Sequence, residues 1–338
     1  MHFFYLYVNL FFSSPDFSVF FKQYIGCITK IKNAIFIPKK MNIGCASEVK
    51  MNKFILYLSQ LALYLQKNDS LMKKTLLLLI ACVTAINSFA KQIDTIEVFS
   101  PSMNIKVKNI VILPADYENK KNLPVLFLLH GHSGNHKSWI QIKPELPELS
   151  TQHGMIIVCP DGKNSWYWDS PINPKMKYET YISEELTAYI DKNYKTRKDK
   201  SGRAITGLSM GGHGGLWLGI RHQDIFGACG STSGGVDIRP FPDNWDMKKA
   251  LGNYTENTER WNNHTVINQI HLIKPDLTLI IDCGKEDFFY EVNERLHREL
   301  INRNIKHHYI SRPGSHNGQY WNSSIEYQIL FFSHFFYK

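Results

Sequence analysis

Ser209 stands in Gly207-Leu208-Ser209-Met210-Gly211, between the short run Arg203–Gly207 and a helical pattern that contains several further glycines. A serine at a strand-to-helix junction is forced into a sharp turn that exposes its hydroxyl. Glycines two positions to either side let the strand and helix backbones come close. The chemistry this suits is nucleophilic attack on a carbonyl. A serine hydroxyl is a weak nucleophile, so a base must take its proton and an acid must orient that base.

Among the downstream histidines, His316 in Arg312-Pro313-Gly314-Ser315-His316-Asn317-Gly318 is placed best. It follows the last strand pattern, in a loop whose small residues leave an imidazole room. His307 and His308 fall inside that strand pattern, and His264, His271 and His297 lie in or beside helical or irregular stretches. The acid is expected after the penultimate strand, where Asp282-Cys283-Gly284-Lys285-Glu286-Asp287 offers three carboxylates. Asp282 at the strand end suits a local hydrogen bond. Asp287, further into the loop, can reach across to the histidine, in the order serine, acid, histidine. Its competing role is a helix N-cap.

Negative charge developing on the substrate oxygen needs two aimed N–H groups. Met210, next to the nucleophile, is one candidate. The second comes from His130-Gly131-His132-Ser133-Gly134, with His132 first and Ser133 as the alternative. His130, His132 and His136 raise the question of a metal, but their spacing is irregular and no carboxylate cluster matches them. Neither metal nor cofactor is expected. Trp166 and Trp168 in Ser165-Trp166-Tyr167-Trp168-Asp169 follow a strand end, the edge where open α/β sheets bind ligands. Exposed, they would bind a sugar or an aromatic acyl group; packed under a neighbouring segment, they would be core.

These residues need a scaffold, and the apolar pattern supplies one. Residues 94–99 and 104–113 alternate like an antiparallel pair. Val125-Leu126-Phe127-Leu128-Leu129 and Ile156-Ile157-Val158 are continuous apolar runs, as expected of strands covered on both faces. Further strands are expected over 203–207, 277–281 and 306–311. Helices are expected over 178–194, 211–226, 288–302 and 318–337, with an interrupted one over 137–153, where Pro144 and Pro147 intervene. Residues 235–270, rich in Asn, Asp and Trp, show no period and read as an insertion over the site. The alternation predicts an α/β fold, a mostly parallel sheet with helices on both faces, in one domain of about 250 residues from residue 91 to 338.

The formal net charge is +9, but ten Lys/Arg against three Asp/Glu put +7 of it in residues 1–90, and 29 against 27 leave +2 in the remainder. Nucleic-acid binding therefore has no electrostatic footprint in the domain and is not expected. From Met72 the chain reads as a secretory signal: Lys73 and Lys74, an apolar core from Thr75 to Ile86, and Ser88-Phe89-Ala90 as a small-x-small cleavage site. The core is short for a bilayer span, which takes about 20 apolar residues. We expect a signal peptide at 72–90, a secreted or periplasmic protein, and an over-extended reading frame at 1–71; if that segment is retained, it could anchor to a membrane. Leu79-Ile80-Ala81-Cys82 is a minor lipoprotein-box alternative. Cys159, Cys229 and Cys283 sit in or beside apolar runs and read as small buried hydrophobes, not a disulfide framework. The sequence is silent on oligomeric state.

Leu128-Leu129-His130-Gly131 with Ser133-Gly134-Asn135, the run Gly207–Gly215, Cys283-Gly284-Lys285-Glu286-Asp287-Phe288 and Gly314-Ser315-His316-Asn317 resemble the esterase family of α/β-hydrolases. That family includes tributyrin esterases, S-formylglutathione hydrolases, carbohydrate feruloyl and acetyl esterases, and mycolyltransferases. The resemblance spans about residues 95–335. It implies Ser209, Asp287 and His316 as a triad, His132 and Met210 as oxyanion donors, and no metal. The expected activity is hydrolysis of short-chain or carbohydrate-linked esters, the partner being a small-molecule or glycan ester. Acyl transfer to a sugar or lipid hydroxyl, and non-catalytic carbohydrate binding through the aromatic loop, are the alternatives.

Overall fold

The computed structural model describes residues 92–338. The segments read as an over-extended frame and a signal peptide lie outside the described residues. Eight strands form one sheet: β1 (Ile93–Ser100), β2 (Ile105–Ile112), β3 (Val125–Leu129), β4 (Ile156–Pro160), β5 (Arg203–Gly207), β6 (Ala228–Thr232), β7 (Thr278–Gly284) and β8 (His308–Arg312). Their order is β1-β2-β4-β3-β5-β6-β7-β8. β1 pairs antiparallel with β2, and β2 with β4, while every pairing from β4 through to β8 is parallel. This is the mostly parallel α/β sheet that the apolar pattern predicts, and the α/β-hydrolase fold that the family resemblance implies.

The apolar runs are continuous because both faces of the sheet are covered. In β3, Val125, Phe127 and Leu129 enter one core while Leu126 and Leu128 enter the other. The second face is closed by α1 (Ser138–Ile142) through Trp139, α2 (Leu146–His153) through Leu146, and the long terminal helix through Ile325, Ile329 and Phe332. The first face carries α3 (Thr187–Asn193), which continues a π-helical stretch at Tyr181–Leu186, and α4 (Met210–Arg221). Two short helices, α5 (Met247–Leu251) and α6 (Thr258–Asn263), then α7 (Tyr290–Asn302), complete that side before α8 (Gly318–Phe336). Among the described residues, no helix is long and apolar enough to cross a membrane.

Three expectations need correction. β6 has no counterpart in the sequence reading, because Ala-Cys-Gly-Ser-Thr lacks the bulky branched side chains that mark a strand. All five residues are buried, since neighbouring helices and strands approach so closely that only small side chains fit. The strand read over 277–281 runs on to Gly284, which places Asp282 inside the sheet. Residues 235–270 are not wholly irregular, for they contain α5, α6 and a 3-10 turn at Val266–Asn268.

That segment is clamped over the first face. Arg239 donates from Nε and one terminal nitrogen to the Asp237 carboxylate, each at 2.8 Å, and Arg295 of α7 pairs with the same carboxylate. Cys159, Cys229 and Cys283 are buried and free, with their thiols raised by burial.

His213, one turn into α4, is wholly buried, edge-on to Trp166 and Trp168 and stacked near Trp217. Its Nδ1–H donates to the Gly235 carbonyl at 3.0 Å; a carbonyl can only accept, so the hydrogen is on Nδ1. Burial disfavours the imidazolium form and lowers this group to about 3. The unfolded chain takes up a proton below about pH 6.5 while the folded one does not, so stability contributed here is complete above that pH and falls as pH drops. The expected slope is about 1.4 kcal/mol per pH unit. His213→Asn keeps a donor for Gly235 and removes the titration. Its unfolding free energy should therefore fall less steeply than wild type from roughly pH 6 to pH 4 in denaturant titrations. Equal slopes would refute a neutral buried imidazole.

Candidate active site

The order of strands brings the chemistry together. β3 lies between β4 and β5, so the connections leaving β3 and β5 diverge to opposite faces and open a crevice at their carboxyl ends. Leu129 pairs with Gly207 in register, which sets the loop after β3 beside the turn after β5. Gly284 of β7 likewise pairs with Arg312 of β8, and so sets the Asp287 and His316 loops side by side.

Ser209 has φ 56° and ψ −117°. Such a conformation costs a non-glycine residue about 1–3 kcal/mol and persists only where the surroundings enforce it. Here the Ser209 N–H donates to Thr232 of β6 at 2.9 Å, and the Ser209 carbonyl accepts from the His213 N–H at 3.0 Å. The flanking glycines are required by close approach. A Cβ on Gly207 would lie 2.4 Å from the Leu129 carbonyl oxygen, and one on Gly211 would lie 2.3 Å from the same atom.

Ser209 Oγ lies 2.9 Å from His316 Nε2. His316 Nδ1 lies 2.8 Å and 3.0 Å from the two Asp287 carboxylate oxygens. Because a carboxylate only accepts, Nδ1 carries the hydrogen and Nε2 is left free to accept the serine proton. The Asp287 side chain is fully shielded, while that of His316 keeps 14% of its surface exposed. Asp287 Oδ1 also accepts the Phe289 N–H at 2.8 Å, so its local turn-fixing role and its bond to His316 coexist. The other two carboxylates of that run go elsewhere. Asp282 is buried and accepts from Ser324 Oγ at 2.9 Å; burial outweighs its bonds and raises its carboxyl. Glu286 accepts the Gly314 N–H and so ties down the loop that carries His316.

Among the described residues, neither the Met210 N–H nor the His132 N–H has a protein acceptor outside regular structure. Ser133, the alternative donor, gives its N–H to Asn164 Oδ1 at 2.8 Å. Of the three nearby histidines, His130 and His136 share Asp161, with His130 Nε2 3.7 Å from its Oδ1, while His132 turns to a different carboxylate. His130 Nε2 accepts the Gly162 N–H at 2.9 Å, and His132 Nε2 faces Asp246 at 3.3 Å. His136 is buried with Nδ1 3.9 Å from Asp161.

Trp166 and Trp168 are not at the substrate edge. They are 1% and 0% exposed, stacked on each other at 5.6 Å beneath the 235–270 segment, and Trp166 donates its indole N–H to the Trp245 carbonyl at 3.0 Å. The sequence places them correctly after a strand, but only tertiary packing shows that the following segment covers them. This also removes the exposed aromatic loop on which a non-catalytic sugar-binding reading rested. The aromatics that do face the site are Phe288, 51% exposed with its ring 4.2 Å from that of His316, and Trp245, stacked on Phe288 at 5.5 Å. Trp321 closes the other side of the imidazole, edge-on at 5.0 Å. Asn164, Trp245 and Asp246 were not legible as site residues, although Asp243-Asn244-Trp245-Asp246 lies within the stretch read as covering the site.

Comparison with known proteins gives the family and the fold. The Esterase family, described as "Putative esterase", matches residues 100–332. An acetyl esterase of Caldicellulosiruptor saccharolyticus is 25% identical over 251 residues, covering 68% of this chain and 94% of the relative. A ferulic acid esterase structure superposes with a TM-score of 0.64 at 28% identity, covering 72% of this chain and 98% of that one. A fluorophosphonate-binding serine hydrolase of Staphylococcus aureus superposes with a TM-score of 0.65 at 22% identity, covering 71% and 98%, and shares the fold. With the family matched over residues 100–332, this chain belongs to the esterase family of α/β-hydrolases and is an ester-hydrolysing enzyme.

Proposed function

We propose that this protein is a serine carboxylesterase that acts on short-chain or carbohydrate-linked esters, of the acetyl or feruloyl kind, through an acyl-enzyme on Ser209. The observation that carries the reading is the relay of 2.9 Å from Ser209 Oγ to His316 Nε2 and 2.8 Å from His316 Nδ1 to Asp287. In the first step Ser209 Oγ attacks the ester carbonyl carbon and its proton passes to His316 Nε2. The carbonyl electrons move to oxygen, which is held by the His132 and Met210 N–H groups. Collapse breaks the bond to the alcohol oxygen, which takes the proton from His316. Water then attacks the acyl-enzyme, with His316 as base, and the acid leaves as Ser209 regains its proton.

The substrate class is supported by the acetyl esterase and ferulic acid esterase among the relatives. A secretory signal read at 72–90 supports an ester outside the cytoplasm. Rapid mixing with p-nitrophenyl acetate should give a burst of nitrophenol and an acetyl group on the peptide that contains Ser209. Turnover with no acyl label on that peptide would overturn the mechanism. Assays on acetylated xylan and feruloylated oligosaccharides, with added alcohol as a competing acceptor, would fix the acyl group and separate hydrolysis from transfer.

A further inference from the structure

The 235–270 segment meets both halves of the site at one dipeptide, Trp245-Asp246. Both residues are left-handed, with φ of 49° and 60°, a conformation that non-glycine residues keep only when their surroundings hold them. On one side the Trp245 ring stacks on Phe288, which lies against His316. On the other, Asp246 Oδ2 lies 3.3 Å from His132 Nε2 and accepts from Asn164 Nδ2 at 3.3 Å, while Oδ1 meets Lys249 Nζ at 2.8 Å. Asn164 turns its Oδ1 to the Ser133 N–H at 2.8 Å. His132 Nδ1, with Nε2 directed at the carboxylate, lies 3.0 Å from Ser133 Oγ.

Asp246 and Asn164 thus hold the loop after β3 from outside, at His132 and at Ser133. Ser133 needs such support, since it too is left-handed at φ 62°. This loop lies directly against the nucleophile: a Cβ built on Gly131 would stand 3.4 Å from Ser209 Cβ. A small rotation of its backbone would swing the His132 N–H away from the substrate oxygen.

We propose that Asp246, acting through His132 and Asn164, is a positioning residue that fixes the oxyanion loop for catalysis. The proposal rests on the reading of Ser209 as the nucleophile. An oxyanion donor acts mainly on the transition state, so its displacement lowers kcat and largely spares KM.

The test compares wild type with Asp246→Ala, Asp246→Asn and Asn164→Ala, each matched for folded protein by thermal unfolding. Two rates are read: turnover of p-nitrophenyl acetate, and covalent labelling by a fluorophosphonate. Asp246→Ala should lower kcat about tenfold to a hundredfold. Its KM should stay within about twofold, and labelling should slow in proportion to kcat. Asp246→Asn keeps an oxygen acceptor for His132 and should recover most of the loss. Asn164→Ala leaves the Trp245-Asp246 dipeptide in place and should lose kcat in the same way, so it decides the matter if Asp246→Ala does not fold. Unchanged kcat in both alanine variants, a loss confined to KM, or no recovery in Asp246→Asn would overturn the proposal. A wild-type enzyme that takes up no fluorophosphonate would instead overturn the Ser209 reading.

Discussion

Ser209→Ala is expected to abolish turnover, with kcat falling about a millionfold, as removal of the nucleophile does in serine hydrolases. Among the described residues, Ser209 Oγ is the side-chain atom in hydrogen-bond contact with His316 Nε2, at 2.9 Å. The variant should fold normally. Oγ has no hydrogen-bond partner other than His316 among the described residues, and the backbone bonds of Ser209 to Thr232 and His213 do not involve the side chain. Matching thermal unfolding curves alongside lost hydrolysis of p-nitrophenyl acetate would support the assignment. Retained turnover, above what free solution gives, would remove it.

Asp287→Asn should cost about ten-thousandfold in kcat with little change in KM. The reason is geometric as well as electrostatic. Oδ1 accepts the Phe289 N–H at 2.8 Å, so the asparagine must keep its carbonyl oxygen there. Its amide nitrogen then takes the position of Oδ2, which faces His316 Nδ1 at 2.8 Å. Two donors cannot share that contact, and His316 is driven toward the tautomer with its hydrogen on Nε2. In that form it cannot accept the serine proton. Asp287→Asn should also lose the ability to stabilise the imidazolium, and Asp287→Glu is not expected to rescue it in so enclosed a site. The check is kcat and KM measured separately, with imidazole nitrogen NMR to read the tautomer. A variant whose Nδ1 stays protonated and whose kcat falls less than about tenfold would show that Asp287 does not orient His316.

Much of this was written in the local sequence. Continuous apolar runs such as Val125–Leu129 announced strands covered on both faces, because a strand needs that composition to be buried twice. The serine elbow and the small-residue loop around His316 were legible because each depends on backbone geometry that only a few residue types allow. β6 escaped notice for the opposite reason. Its residues are small to fit between close neighbours, and that pressure leaves no periodic trace. Asp287 could be preferred but not separated from Asp282 and Glu286 by position alone. The separation came from β7 running far enough to bury Asp282 in the sheet, where Ser324 of α8 engages it.

What the sequence determined by itself is the fold class and the candidates for nucleophile and base, since each follows from a pattern of a few neighbouring residues. What only the tertiary structure decided is the environment of those groups. Trp166 and Trp168 are core and not platform because a segment about 70 residues further on folds over them, and no local pattern encodes that cover. The same cover puts Trp245 beside Phe288 and brings Asp246 to His132, across 114 positions of chain. Side-chain chemistry is a local property, whereas burial and contact belong to the whole packed chain; the candidates for reaction could be read from the sequence, and the contacts that surround them could not.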